Sequence, residues 1–321
     1  MKGAINLPDF SDLHILIVGD VMLDRYISGE VKRISPEAPV PIVEQRHFEN
    51  RAGGAANVAL NILALGAKAT LLTVTGADEA ERLLGDVLNT GDRLKLEFVK
   101  CPDRKTTVKT RVMAGYQHLL RVDNEDKHDI SAVQEQIILD KFTEILNAGY
   151  INGVVLQDYN KGMLTKAVIE AMIAKCNEKS VPTFVDPKEK NFFAYKGCTV
   201  FKPNKKEVTQ SIGVTPDLNI TDKLLRERLS HAITLITLGH QGMYIHDGTQ
   251  GKIYPTSERI ISDVCGAGDS VISVVSLCYL KKTDTDTLAI IANATGGQVC
   301  ESPGVVPVNY EKLRLELMKI V

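Results

Sequence analysis

The run Asp263-Val264-Cys265-Gly266-Ala267-Gly268-Asp269-Ser270 combines residue types that can handle an anion and a proton in one place. Gly266, Ala267 and Gly268 carry little side chain, and the apolar spacing of Val271, Ile272, Val274, Val275 and Leu277 predicts a helix that starts beside them. Backbone N–H groups at a helix start lack partners and lie at the positive end of the helix dipole, so such a turn can receive a phosphate. Asp269 falls in the first turn, next to that anion pocket. A carboxylate there suits a general base that takes a proton from a hydroxyl while the N–H groups stabilise charge on a transferring phosphoryl group. Read without function, the same acid simply complements the dipole.

Further polar groups fall at the carboxyl ends of predicted strands, where open α/β sheets gather their ligands. The apolar run ending in Ile17-Val18-Gly19 is followed by Asp20 and Asp24, which can hold sugar hydroxyls or serve as loop acids. Gly53-Gly54 opens a helix that Gly66 stops, and Asn57 offers a donor and acceptors near a glycine pair that permits close approach. Later runs deliver Asp158 and Lys161, Asp186 and Lys188, Asn204 and Glu207, then Thr237, Gly239 and Gly242. Asn204 and Glu207, three apart at a helix start, can orient a hydrated magnesium ion or form a capping box. Arg104, Lys105, Lys109, Arg111 and Arg121 form a basic cluster that can meet a substrate phosphate or line a solvated sheet face.

The elements that must position these groups read as strand–helix alternation, hence a doubly wound, mostly parallel α/β sheet with helices on both faces. Two segments break the pattern. Residues 21–49, with Pro36, Pro39 and Pro41, leave the sheet, and residues 94–123 alternate like exposed antiparallel strands. A chain of 321 residues with 44% hydrophobic content can bury a large core. A net charge of -2 gives no reason to expect nucleic acid or an acidic membrane surface, and no apolar run reaches the roughly 18 residues of a membrane span. The expectation is a soluble, cytoplasmic protein. Cys101, Cys176, Cys198, Cys265, Cys278 and Cys300 are scattered without a C-x-x-C pair, which points to reduced, mostly buried thiols. P-loop, Rossmann dinucleotide and protein-kinase signatures are all missing.

Val18-Gly19-Asp20, Gly53-Gly54, Asn204-x-x-Glu207 and Gly266-Ala267-Gly268-Asp269, in that order, resemble the ribokinase-like (PfkB) carbohydrate kinases along essentially the whole chain. The resemblance implies a single kinase domain over 1–321, with a small β-sheet lid from about 21–49 and 94–123. It makes Asp269 the catalytic base and Gly266, Ala267 and Gly268 the anion hole for the γ-phosphoryl of ATP. Asn204 and Glu207 would position Mg²⁺ through water. Thr237, Gly239, Gly242, Asn293 and Lys188 would serve the nucleotide, and Asp20, Asp24, Gly53, Gly54 and Asn57 the sugar. Val264 follows Asp263 where the family's usual signature has threonine, so a monovalent cation has no support from this loop.

Within that family, Val18 to Tyr26, Arg33 to Pro41, Gly53 to Ala59 and Asp158-Tyr159-x-Lys161-Gly162 are similar to the branch that phosphorylates D-glycero-β-D-manno-heptose 7-phosphate in ADP-heptose synthesis. The implied reaction is transfer from ATP to the anomeric hydroxyl. Lys161, Lys109, Arg111 and Arg104 are then the candidates for the substrate's own phosphate. The similarity also implies a homodimer paired through the lid, and a kinase unit without the nucleotidyltransferase domain of the bifunctional enzymes.

Overall fold

Continuous apolar runs build a central sheet whose strands are buried on both faces, as parallel strands generally are. In the computed structural model, which describes residues 5–115, 117–215 and 217–319, the chain begins with β1 (His14–Gly19) and leaves the sheet through the long hairpin of β2 (Val21–Ile34) and β3 (Pro41–Gly54). Residues 1–4 and 320–321 of the expected domain lie outside the described residues. The chain re-enters with α1 (Ala55–Ala64), β4 (Lys68–Thr75), α2 (Glu79–Val87) and β5 (Leu94–Lys100), then makes a second excursion as β6 (Val108–Ala114) and β7 (Gln117–Asn124). Alternation resumes with α3 (Ala132–Asn147), β8 (Gly153–Gln157), α4 (Lys166–Glu178), β9 (Thr183–Asp186), β10 (Val200–Phe201), α5 (Lys205–Ile212), α6 (Leu218–Leu229) and β11 (Ile233–Thr237). An edge hairpin, β12 (Met243–His246) and β13 (Gly251–Tyr254), is followed by α7 (Ala267–Leu280), α8 (Thr285–Cys300) and α9 (Tyr310–Leu317).

The large sheet has the order β13-β12-β11-β10-β9-β8-β1-β4-β5. Neighbours from β11 to β5 run parallel, and the β11–β12–β13 edge is antiparallel. Alternation along β1 sends Ile15 and Ile17 into the core beneath α1, α7 and α8, and Leu16 and Val18 into the core beneath α3 and α4. Each of these side chains is fully buried, which stabilises the fold by about 1.5–3 kcal/mol apiece. This is the doubly wound arrangement expected. The strand order reverses between β1 and β8, so the loops leaving their carboxyl ends diverge and open a crevice.

The expected lid is corrected in its second segment. β5 pairs with β4 in parallel along its whole length, and Leu94, Leu96 and Phe98 pack on the core, so residues 94–100 form the last strand of the large sheet. A strand covered on one face alternates just as a lid strand does, and alternation alone does not separate the two. The small sheet is β3-β2-β6-β7, with β2 and β6 parallel and the flanking pairs antiparallel. Its base is pinned by Arg51, which donates to the carbonyls of Pro303 and Val305 and lies over the Tyr26 ring, and by the Tyr26 hydroxyl, which accepts from the Val305 N–H. The cysteines are all free, and only Cys265 is not fully buried. Among the described residues no helix is long and apolar enough to cross a membrane.

Candidate active site

Asp269 stands where three elements meet. Gly266 caps α7 with φ at 79°, a left-handed conformation that glycine adopts without strain; of the N–H groups that follow, that of Ala267 reaches the Val264 carbonyl at 3.4 Å. From α1, Asn57 donates through Nδ2 to Asp269 Oδ2 at 2.8 Å. From the end of β8, Gln157 Nε2 and the Tyr159 hydroxyl donate to Oδ1 at 3.1 and 2.8 Å. Burial pushes the Asp269 carboxyl up to about 6, against the hydrogen bonds from Asn57 and Tyr159. The group is therefore mostly ionised at neutral pH yet basic enough to take a proton in turnover, which is what a general base requires.

The anion turn is flanked closely on both sides. A Cβ added at Gly266 would lie 2.9 Å from Asn57 Nδ2, and one at Gly268 would lie 3.4 Å from Asp186 Oδ2 and 3.6 Å from Lys202 Nζ. Lys202, almost fully buried, pairs with Asp186 at 3.0 Å, and Gln157 Nε2 donates to the same carboxylate at 3.0 Å. An ammonium thus sits directly beside the N–H groups that would face a phosphoryl oxygen.

Beyond the turn lies a cavity of about 740 Å³ bordered by Thr237, Gly239, Gly242, Asn293, Ala267 and Gly268. The residues expected at the nucleotide are thereby gathered on one side of the anion turn, with Asn293 holding the carbonyls of Tyr254 and Pro255 at 3.0 and 3.3 Å. Asn204, Glu207 and Lys188 are placed differently. Asn204 and Glu207 close a capping box on α5, and Glu207 also pairs with Lys188, whose ammonium lies 5.4 Å from the Tyr159 ring centre. Among the described residues no group of three or more His, Cys, Asp and Glu side chains is arranged to hold a metal ion. Both Glu207 oxygens already have partners, Oε2 in the Asn204 N–H and Oε1 in the Lys188 ammonium, so these residues fit a magnesium ion held mainly by nucleotide phosphates and water.

On the opposite side, Asp24 is fully buried and paired with Arg111. A Cβ at Gly53 would lie 2.0 Å from Asp24 Oδ2, so only glycine leaves room for this carboxylate. Gly54, at φ 63°, turns the chain into α1 with the Asp20 carbonyl against it. Two sugar-side candidates already have partners within the fold. Asp20 accepts the N–H groups of Tyr159, Lys161 and Met163, which ties it to the loop after β8. Asn57 turns its amide to Asp269, and its Oδ1 accepts from Asn61. Asp20 thereby holds loop backbone, as short polar side chains at a strand end readily do, and Asn57 holds the Asp269 carboxylate from α1.

The candidate phosphate cations divide as well. Arg111 serves Asp24, whereas Lys109 and Lys161 share Glu125, at 3.7 and 2.6 Å. Burial pushes the Glu125 carboxyl up, but hydrogen bonds from Lys161 and Lys127 and the Lys109 charge outweigh it and hold it at about 2. Arg104 donates to the carbonyls of Lys161 and His128. Sequence reasoning gave Gln157 and Lys202 no place in the site, their only signal being position at or just past strand ends, and it named Asp186 only as a strand-end acid and Tyr159 only within Asp158-Tyr159-x-Lys161-Gly162.

A buried carboxylate at a helix start, next to a large cavity at the carboxyl edge of an open α/β sheet, has the makings of a phosphotransferase site. The chain matches the pfkB family carbohydrate kinases over residues 12–312 and belongs to that family, as an ATP-dependent sugar kinase. It is 40% identical over 297 residues to the bifunctional protein HldE of Vibrio vulnificus strain YJ016, covering 91% of this chain and 61% of that protein. It is 37% identical over 310 residues to the bifunctional protein HldE of Koribacter versatilis, covering 95% and 63%. The chain thus spans less than two thirds of the length of these curated relatives. The fold is similar to phosphofructokinase-2 from Escherichia coli in complex with potassium (TM-score 0.77, 17% identity, 96% of this chain and 99% of that one). It is also similar to Arabidopsis thaliana ribokinase complexed with ribose and ATP (TM-score 0.68, 15% identity, 96% and 99%).

Two outcomes test this placement of roles. Asp20→Ala strands buried loop N–H groups and should lower stability by roughly 2–3 kcal/mol in urea unfolding; a loss under about 0.5 kcal/mol would return Asp20 to the ligand side. Gly53→Ala should raise the sugar KM at least about tenfold with the ATP KM within about twofold, because the new methyl displaces Asp24 and each 1.4 kcal/mol of lost contact is tenfold. A sugar KM that stays put would show that Asp24 does not meet the acceptor.

Proposed function

We propose that the protein transfers the γ-phosphoryl group of ATP to the anomeric hydroxyl of D-glycero-β-D-manno-heptose 7-phosphate, giving the 1,7-bisphosphate on the way to ADP-heptose. The observation that carries the chemistry is Asp269, a buried carboxylate at the start of α7, next to the cavity bordered by Ala267 and Gly268 and held by Asn57, Gln157 and Tyr159. The likeness to proteins named bifunctional HldE, together with the substrate-side segments Val18 to Tyr26 and Asp158 to Gly162, supports the heptose acceptor.

In this reading the acceptor hydroxyl donates to Asp269, which takes the proton as the oxygen attacks phosphorus. The N–H groups at Gly266 to Gly268 and the Lys202 ammonium face the oxygens on which charge gathers, and a fixed array of this kind needs little reorganisation during the step. Asp24, held by Arg111, accepts from a neighbouring sugar hydroxyl, and Lys161, Lys109 and Arg104 lie on the side of the substrate's own phosphate. Bound magnesium neutralises the β- and γ-phosphates of the nucleotide. The small sheet closes over the acceptor and excludes water. Its exposed Val31, Ile34, Phe48, Leu120 and Val122 support pairing with a second copy of the chain. ATP and sugar phosphates place the reaction in the cytoplasm.

ADP release with ATP-Mg²⁺ should be confined to the heptose 7-phosphate when it is compared with sedoheptulose 7-phosphate, fructose 6-phosphate, ribose and fructose. Asp269→Asn should fold and bind ATP while losing at least about a hundredfold in kcat, the usual contribution of a general base. Preference for another sugar would discard the heptose assignment and keep the base; turnover by Asp269→Asn within about tenfold of wild type would discard the base. The kcat/KM profile should fall tenfold per unit as pH drops below about 6, since Asp269 is then protonated and cannot accept. A flat profile between about pH 5 and 7 would move proton acceptance to a different group.

A further inference from the structure

We propose that Tyr159 is a positioning residue for the transfer step: its hydroxyl occupies Oδ1 of Asp269 and so directs the acceptor's proton to Oδ2. The inference rests on Asp269 as the base of the kinase reading. A carboxylate offers about four lone-pair positions. Gln157 and Tyr159 converge on Oδ1, and Asn57 alone reaches Oδ2, so the open position belongs to Oδ2. Gln157 divides its amide between Asp269 and Asp186, which leaves Tyr159 as the donor directed to the base alone.

Tyr159 is itself fixed from three directions. Its backbone N–H is bound by Asp20 at 2.9 Å, its ring carries the Lys188 ammonium, and its hydroxyl ends on Asp269. Burial and the charges of Asp269, Asp186 and Asp24 push its ionisation well above the ordinary tyrosine range, so it stays a donor throughout turnover. The other charges around the base work in both directions. Asp186 at the end of β9 opposes its ionisation, while Lys202 after β10 and Lys188 favour it. Removing only the tyrosine hydroxyl leaves those charges in place and withdraws one donor that holds the ionised form.

The test is a ¹³C titration of aspartate carboxyls in the full chain without substrates, with the Asp269 resonance assigned by its loss in Asp269→Asn. In Tyr159→Phe the Asp269 midpoint should rise by about one unit, the size expected for a hydrogen bond to a charged group. The acid limb of kcat/KM should move with it, so that the loss of activity relative to wild type is about fivefold greater near pH 6 than near pH 8.5. Replacing Tyr159 by 3,5-difluorotyrosine, a stronger donor of almost the same shape, should shift the midpoint the other way, and this variant decides the matter if the phenylalanine one fails to fold. A midpoint unmoved within about 0.3 unit, or activity lost equally at every pH, would overturn the proposal. If wild-type protein releases no ADP with any acceptor, the kinase reading fails, whereas the titration still reports whether Tyr159 governs the carboxylate.

Discussion

Keeping a negative charge at Asp269 in a crevice that excludes water is the constraint from which much of the surrounding structure follows. An ionised carboxylate at 2% exposure is strongly disfavoured unless donors surround it. The donors come from separate parts of the chain, Asn57 from α1 and Gln157 and Tyr159 from the end of β8, and Lys202 after β10 adds a positive charge without a hydrogen bond. No local segment could supply them together. The doubly wound topology does so because it lines up the carboxyl ends of β8, β9, β10 and β1 along one edge, with α1 and α7 packed across it. Burial still prevails in part, and the carboxyl is left near 6, a value that suits the general base of the proposed reaction.

The same edge carries more acid than a base alone needs. Asp20, Asp24, Asp158, Asp186 and Asp269 are all buried there, and each is held in a different way. Asp20 is satisfied by loop N–H groups, Asp24 by Arg111, Asp186 by Lys202, and Asp158 by the Tyr195 hydroxyl and the Asn160 N–H. Burial and the neighbouring Asp20 charge push Asp158 up to about 7. Like charges this near one another would repel if left unpaired, so each partner is also a device that keeps the next carboxylate in place. Glycine makes the packing possible: at 53 any side chain would occupy the space taken by Asp24.

Much of this was legible in the sequence because the signals were local. Asp269 beside a glycine turn, the glycine pair ahead of Asn57, and runs such as Leu16-Ile17-Val18 each announce a feature within a few residues. What was not legible depends on which partner a polar group finds across the fold. Asp20 and Asp24 stand four positions apart after one strand and look alike as letters. One is met by the loop after β8 and the other by an arginine from β6, and only the tertiary structure distinguishes them. Gln157 was passed over for the converse reason, since an amide at a strand end carries no motif, and Tyr159, although inside Asp158-Tyr159-x-Lys161-Gly162, shows no role until a carboxylate from α7 arrives beside it. β5 was misplaced because a strand with one covered face has the same alternation in either sheet.

The two halves of the crevice differ in how they are prepared. The side proposed for the acceptor is fixed by ion pairs and hydrogen bonds: Asp24 with Arg111, Lys161 with Glu125, Asp20 with its loop. The side proposed for the nucleotide is a cavity bordered largely by small or neutral residues such as Thr237, Gly239, Gly242 and Asn293. Fixed charge discriminates among polar ligands, because a wrong hydroxyl pattern leaves a buried ion without a partner, whereas a smooth cavity mainly selects shape. In the proposed reaction the choice of sugar therefore resides in residues whose geometry is already set, and binding of the acceptor needs little rearrangement beneath it. Tyr159 joins the halves, since its hydroxyl touches the base and its ring carries Lys188, which in turn holds Glu207 at the start of α5. A displacement of Lys188 or Glu207 toward nucleotide phosphates would thus be felt at the carboxylate that accepts the proton, through one aromatic side chain.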